Sequence, residues 1–274
     1  MVNHTTKTLV THINPHLDDI FAIWLLKKFD PKYKDAKIDF ISANHEMADQ
    51  ESEERVFVGT GGGKFDEHKE GLATCAGSLV FDYLKKEKLL PKDEISVKAL
   101  EEMVDWNKKI DMGTISIEAY DEFSVPAFIR CKDSSKESSK SCLELGDRIL
   151  NRILAVLKRK QQSLLDWQGR VEFETGFGKT VAVKSNTIDR PFCKRMGGDL
   201  FILVSPKYHG VQYFTPSQTL DLSPIYDKVK ELDPQADWFL HQSHHMVLCG
   251  SSSAPDAKLT RLTFEQLIEV AKSI

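Results

Sequence analysis

The stretch from Asp18 to Phe29 constrains this chain more than any other. Ile20, Phe21, Ile23, Trp24, Leu25 and Leu26 leave it apolar on most sides, and it turns basic only at Lys27 and Lys28. A helix of that kind must be buried against other elements. It follows a β-branched run, Lys7-Thr8-Leu9-Val10-Thr11, and precedes runs at Lys37 to Ala43 and Arg55-Val56-Phe57-Val58 that read as strands. Strands alternating with helices predict an α/β domain built on a parallel sheet.

Helices are expected at about Thr74 to Lys88 and Ile95 to Lys109, separated by Pro91; Leu79 with Tyr83, and Val80 with Leu84, sit at helical spacing in the first. Cys131 to Ser141, rich in Ser and Lys, has too few apolar groups to pack and reads as a flexible surface loop near a domain boundary. A long connecting helix follows from about Leu143 to Trp167, carrying Leu145, Ile149, Ile153 and Leu157 at four-residue steps and a basic end at Lys158-Arg159-Lys160. Beyond Gly169 the pattern is strand-rich, with Thr180 to Lys184, Leu200 to Ser205, Val211 to Phe214 and Trp238 to Leu248, and a final helix opens at Thr263 with a Thr263/Gln266 capping box. The expected organisation is a parallel-sheet domain over 1–130, a loop and connecting helix over 131–168, and a smaller α/β domain over 169–274.

Of the 274 residues, 41% are hydrophobic and 28% charged, which fits a globular rather than a disordered chain. No leader pattern opens it, and no apolar run approaches the roughly 20 residues of a membrane helix, so a cytoplasmic protein without a membrane partner is expected. The five cysteines, Cys75, Cys131, Cys142, Cys193 and Cys249, show no C-x-x-C spacing and read as reduced thiols. A formal charge of -4 argues against binding long duplex nucleic acid and leaves a short oligonucleotide or a small phosphorylated ligand compatible.

Two loops carry the chemistry. The first, Thr11-His12-Ile13-Asn14-Pro15-His16-Leu17-Asp18-Asp19, follows the first strand. Pro15 disfavours a helical alignment of His12 and His16, so both belong to a loop, while Asp18 or Asp19 can also cap the helix that follows. Capping uses one acid at most. The remaining groups suit Mn²⁺, Mg²⁺ or Zn²⁺. The second loop, Gly61-Gly62-Gly63-Lys64-Phe65-Asp66-Glu67-His68, lacks P-loop spacing and has Phe65 where Ser or Thr would be required. Its glycines permit a tight turn that brings Asp66, Glu67 and His68 up to the first loop, at strand ends where open α/β sheets bind ligands.

These loops, with Cys75-Ala76-Gly77-Ser78-Leu79-Val80, Phe239-Leu240-His241 and Lys258 to Lys272, resemble the DHH phosphoesterase superfamily, and most nearly its MYG (melanocyte-proliferating-gene) exonuclease-like branch. The first loop is similar to that branch's opening motif, and Gly62 to His68 to its glycine run ending in F-D-H-H. Two departures stand out: Glu67 replaces the middle residue of D-H-H, and Val58-Gly59-Thr60 supply no aspartate where the family has a metal-bridging one.

The resemblance implies a two-domain, metal-dependent phosphoesterase with the site in a cleft between its domains. A divalent metal, Mn²⁺ first and Mg²⁺ or Zn²⁺ as alternatives, would be held by His12, His16, Asp18, Asp66, Glu67 and Asp105, with Asp111 the other choice for the downstream acid. Asp66 and His68 would be catalytic, His68 as proton donor to the leaving oxygen. In the C-terminal substrate-binding domain, His241 and His245 fall on one face of the expected strand with His244 opposite, and Ser251, Ser252, Ser253, Lys258 and Arg261 would hold phosphates. Lys194-Arg195 is a further phosphate contact or a helix-end charge. The substrate implied is a phosphodiester of a short oligonucleotide or small nucleotide. A pyrophosphatase-type enzyme and a binding protein without turnover are the alternatives; the oligomeric state is open.

Overall fold

The computed structural model describes residues 6–43, 47–69, 73–115, 121–251 and 253–274. The chain divides into two compact units, 1–158 and 159–274.

In the first unit, β1 (Thr8–His12) leads into α1 (Leu17–Phe29), followed by β2 (Lys37–Ile41) and β3 (Arg55–Phe57). Strand β1 is central, parallel to β2 on one side and to β3 on the other. Its register pairs Val10 with Phe57, which puts the chain after β1 beside the chain after β3. Both sequence loops therefore leave the same edge of the sheet, because parallel neighbours end on the same side. Helix α1 is buried from Leu17 to Leu26, as its apolar circumference requires.

Helices α2 (Ala76–Lys86) and α3 (Glu94–Asp111) pack on the same core; α2 buries Val80 and Leu84, and α3 buries Ala99, Leu100, Met103 and Asn107 on one stripe. Asp93 caps α3 by accepting from the Ser96 amide at 2.8 Å. After the short α4 (Val125–Ile129) comes α5 (Lys136–Asp166), a helix of 31 residues.

Two expectations change at α5. The Ser/Lys segment from Lys136 to Ser141 is its first turns and not a loop; Ser139 is buried, donates to the Ser135 carbonyl and accepts from the Asn14 amide at 2.9 Å. Small hydroxyls satisfy local backbone groups here, so the segment orders without apolar burial. The fully packed stripe is Cys142, Gly146, Leu150 and Leu154, while Leu145 is exposed and Ile149, Ile153 and Leu157 lie at its margin. Gly146 is needed there, since a β-carbon would meet Ile20 Cγ2 at 2.4 Å. The division between units falls within α5, between Lys158 and Arg159.

The second unit holds β4 (Val171–Thr175), β5 (Gly178–Lys184), α6 (Arg190–Met196), β6 (Leu200–Val204), β7 (Val211–Phe214), α7 (Ser223–Leu232), β8 (Trp238–Leu240), β9 (Met246–Cys249) and α8 (Phe264–Lys272). They form a mixed six-stranded sheet in the order β4-β5-β6-β7-β9-β8, in which only β5 and β6 run parallel. Alternation along β6 splits the core: Leu200 and Ile202 join Ile225, Val229 and Leu267 on the face of α7 and α8, and Phe201 joins Trp167 and Phe192 on the other. Both bonds of the Thr263/Gln266 capping box are present, at 2.8 and 3.2 Å.

The segment expected as one strand from Trp238 to Leu248 is a hairpin, with His241, His244 and His245 in its turn. The His241 amide donates to Met246, and the His244 amide to His241. His244 adopts a φ of +58°, which no strand residue has. The shared face assigned to His241 and His245 therefore does not exist. All five cysteines are free thiols. Among the described residues no helix is long and apolar enough to cross a membrane.

Candidate metal centre

The two loops meet at the carboxyl edge of the parallel sheet. His12 ends β1, and its ring is held at both nitrogens: Nδ1 lies 2.8 Å from the Ile13 carbonyl and Nε2 2.9 Å from Asp19 Oδ2. Burial of this ring works against its charge, but the hydrogen bond and charge of Asp19 outweigh it, and the pKa is pushed up to about 9. With Nδ1–H donated to a backbone carbonyl, Nε2 is the nitrogen left for a metal, the usual arrangement of a ligating histidine. His16 is the N-cap of α1; its amide donates to Asp19 Oδ2 at 2.8 Å, so Asp19, three residues on, closes the first turn. The His12 and His16 rings stand edge to face, with centroids 5.1 Å apart.

Asp18 is buried and tied to two further helices. Its Oδ2 accepts from the Ala76 amide at 2.6 Å, and its Oδ1 from the Gly77 amide at 2.9 Å and from Asn107 Nδ2. It thereby sits at the N-terminus of α2, where a negative charge is favoured. Burial, followed by the charge of Asp19, still raises its pKa, against the pull of the Gly77 amide and Asn107.

The glycine loop is wound around Asp66. Gly59, Gly61 and Gly62 have φ between +66° and +78°. Phe65 is buried against Tyr83, and its carbonyl accepts from the Gly59 amide at 2.9 Å, closing the loop. Asp66 Oδ2 accepts from Gly62 N at 2.6 Å and Oδ1 from His68 N at 2.9 Å, with the His68 ring Nδ1 also 2.9 Å from Oδ1. Burial would raise this carboxyl, but the His68 and Gly62 amides and the His68 ring hold it below its ordinary value. Lys64 is turned away from any phosphate role: its ammonium lies 3.7 Å from the centre of the Tyr83 ring, and Glu51 accepts its amide.

Three sets of residues each bring their ligand atoms within 4.8 Å of one another inside the set: His12, His16 and Asp19; Asp66, Glu67 and His68; and Asp18, Glu67 and Asp111. Glu67 belongs to two of them. One of its oxygens, Oε2, is buried without a hydrogen-bond partner, and burial followed by the Asp18 charge pushes its pKa up to about 8. Asp111, at the exposed end of α3, is raised to about 6 by partial desolvation and by Asp18 and Asp19. The His68 side chain is 72% exposed; what burial it has opposes its charge, but Asp66 and Glu67 together raise its pKa. An unpartnered buried carboxylate oxygen among further acids and imidazoles is a donor set that fits a divalent cation.

Asp105, the first choice for the downstream acid, lies outside these groups: it is exposed on α3 and pairs with Lys109 at 2.6 Å, four residues on. Asp111 is the α3 acid that meets Asp18 and Glu67. Asp19, one of the two candidate caps and not among the expected ligands, faces His12. The adjacent pair Asp18-Asp19 was the available signal, since the helix needs only one acid for its cap.

In the second unit the expected substrate groups are spread over two ends of β9. His241 and His245 precede it in the turn, where His241 Nδ1 contacts Ser243 Oγ at 2.8 Å. Gly250, with a φ of +74°, follows β9 and opens a turn in which Ser251 Oγ accepts from the Ser253 amide at 3.2 Å. Ser252 lies outside the described residues. Lys258 joins this second end through its backbone, which pairs with Asp237 in both directions, and the Arg261 amide donates to Asp233. His244 instead contacts Ser223 and Asp221, and Lys194 and Arg195 are exposed in the last turn of α6.

No protein-family model matches the chain, and no curated protein matches it. Among solved structures it is similar to RecJ from Thermus thermophilus in complex with Mg²⁺, with a TM-score of 0.33 and 10% sequence identity. The match covers 97% of this chain and 49% of RecJ, so the chain spans about half the length of that protein.

Proposed function

We propose that this chain is a metal-dependent phosphoesterase of the DHH type that hydrolyses phosphodiester bonds in short oligonucleotides or small nucleotides. The observation that carries this reading is Glu67, whose buried, unpartnered Oε2 belongs to a side chain within ligand distance of Asp18, Asp111, Asp66 and His68. His68 Nδ1 lies 3.6 Å from the other oxygen, Oε1, so Oε2 is the atom left for a further cation. An ion would be held by His12, His16 and Asp19 or by Asp18, Glu67 and Asp111, and this mix of imidazole and carboxylate suits Mn²⁺ first, with Mg²⁺ and Zn²⁺ as alternatives. Bound there, a divalent cation supplies Lewis acidity that acidifies water and neutralises phosphoryl charge.

The chain's own groups support the rest. Asp66 orients the His68 ring through Nδ1 and favours its protonated form, and the exposed ring leaves Nε2–H to donate to a leaving oxygen. His12 is locked by the Ile13 carbonyl, so Nε2 is presented in one orientation. The second unit is assigned substrate binding, through the His241/His245 turn or through Ser251, Ser253, Lys258 and Arg261.

A second reading is a binding protein without turnover. It is favoured by the absence of any carboxylate at Val58-Gly59-Thr60 and by the three N–H donors that already occupy Asp18. Incubating the protein with a short oligonucleotide and Mn²⁺ or Mg²⁺ separates the two. Cleavage that disappears in His12→Ala and Glu67→Gln supports the enzyme; metal-dependent binding without cleavage supports the alternative. Orthophosphate released from inorganic pyrophosphate under the same conditions would reassign the substrate.

A further inference from the structure

A cavity of about 440 Å³ opens beside the candidate metal ligands within the first unit, and His16, Asp18 and Asp111 line it. That volume lies in the range of small-ligand sites and far below what a duplex would need. Its outer part is of different character. Ile110, Pro126 and Ile129 give it an apolar wall, and Arg130, at the C-cap of α4, is the one fixed cation among the described residues that line it. The Arg130 guanidinium has no hydrogen bond or ion pair among the described residues. A free guanidinium beside a cluster of carboxylates that it does not pair with is available to an incoming anion.

Asn107 supplies a third element. It is buried and lines the same cavity; its Nδ2 is used by Asp18, but its Oδ1 has no donor. A buried acceptor of this kind is costly until something donates to it. Acceptor, apolar wall and fixed cation together match one nucleotide: amine or hydroxyl donors, a flat apolar base and an anionic phosphate.

We propose that this cavity seats one nucleotide of the substrate, with Arg130 pairing to its phosphate and Ile110 and Pro126 against its base. The assignment rests on the phosphoesterase reading and adds to it a single-nucleotide subsite. Arg130 is then a positioning and specificity residue that no motif marks.

The test is calorimetric binding of 5′-AMP to the Mg²⁺-supplied full chain, with metal content measured in parallel. Arg130→Ala should weaken AMP about 10–100-fold, the worth of a charge-assisted hydrogen-bonded pair, and Arg130→Lys should fall between, since it keeps the charge and loses the fork. Adenosine, which lacks the phosphate, should bind wild type and Arg130→Ala alike. Lys109→Ala, removing an exposed cation on neighbouring α3, should leave AMP binding unchanged. AMP affinity equal in wild type and Arg130→Ala, or no AMP binding by wild type, overturns the proposal. Arg130-dependent binding without oligonucleotide cleavage sinks the phosphoesterase reading and leaves the nucleotide seat standing.

Discussion

Asp19 fills the space that a side chain on Gly59 would occupy: a β-carbon at residue 59 would lie 1.8 Å from Asp19 Oδ1. The carboxylate that the family resemblance would place before the glycine run has no room at this position, because one from α1 is already there. Gly59→Ala adds that collision to a φ of +66°, which favours glycine. Its cost should be about 2–4 kcal/mol, from left-handed strain plus overpacking. Urea unfolding of the variant checks this, and a loss under about 1 kcal/mol would mean that Asp19 moves aside freely.

Asp18 braces three helices whether or not it meets a metal. Asp18→Ala leaves the Ala76 and Gly77 amides and Asn107 Nδ2 without their acceptor, and should destabilise the chelator-treated protein by about 2–4 kcal/mol. A variant that loses metal affinity at unchanged chelator-treated stability would show that this bracing carries little.

Asp105 and Asp111 occupy the same helix with opposite prospects. Asp111→Asn should weaken Mn²⁺ binding about tenfold or more, whereas Asp105→Asn should leave it unchanged and cost at most about 0.5 kcal/mol of stability through its exposed pair with Lys109. Metal titration of both variants is decisive, and the reverse ranking would return the ligand to Asp105.

Protons offset the crowded negative charge of the cluster. Asp111 is raised from 3.8 to about 6, Glu67 from 4.5 to about 8 and His12 from 6.5 to about 9, so the folded chain holds more protons than the unfolded one across this range. Stability then falls as pH rises, through Asp111 between about pH 4 and 6, Glu67 up to about 8 and His12 up to about 9. Melting temperature of chelator-treated protein should decline from about pH 5 to about pH 9, and Mn²⁺, which needs deprotonated ligands, should reverse the trend at the alkaline end. A flat profile in chelator would count against a closely packed acid cluster.

How much of this was legible in the sequence varies by element. The burial of α1 and the convergence of the two loops follow from residue pattern alone, because an apolar helix and parallel neighbouring strands leave few arrangements. The Lys136 to Ser141 turns were not legible, since their order comes from hydroxyls bonding to Ser135 and Asn14 and not from apolar spacing. The His241 to His245 turn has no Gly or Pro to mark it, and the available signal was its five consecutive polar residues between Trp238-Phe239-Leu240 and Met246-Val247-Leu248, which break the alternation a single strand would keep. Asp111 and Asp105, six residues apart on one helix, differ only in which side faces Asp18, a matter of tertiary packing.

The winding of the glycine loop around Asp66 bears on how the proposed centre would acquire an ion. Because Gly62, His68 and the Phe65 carbonyl already fix that loop through protein hydrogen bonds, its conformational entropy is surrendered when the chain folds and not when a cation arrives. On the proposed reading, the affinity for a cation would be set almost wholly by coordination and proton displacement, as in a rigid chelator, and not by a folding transition like that of a zinc finger.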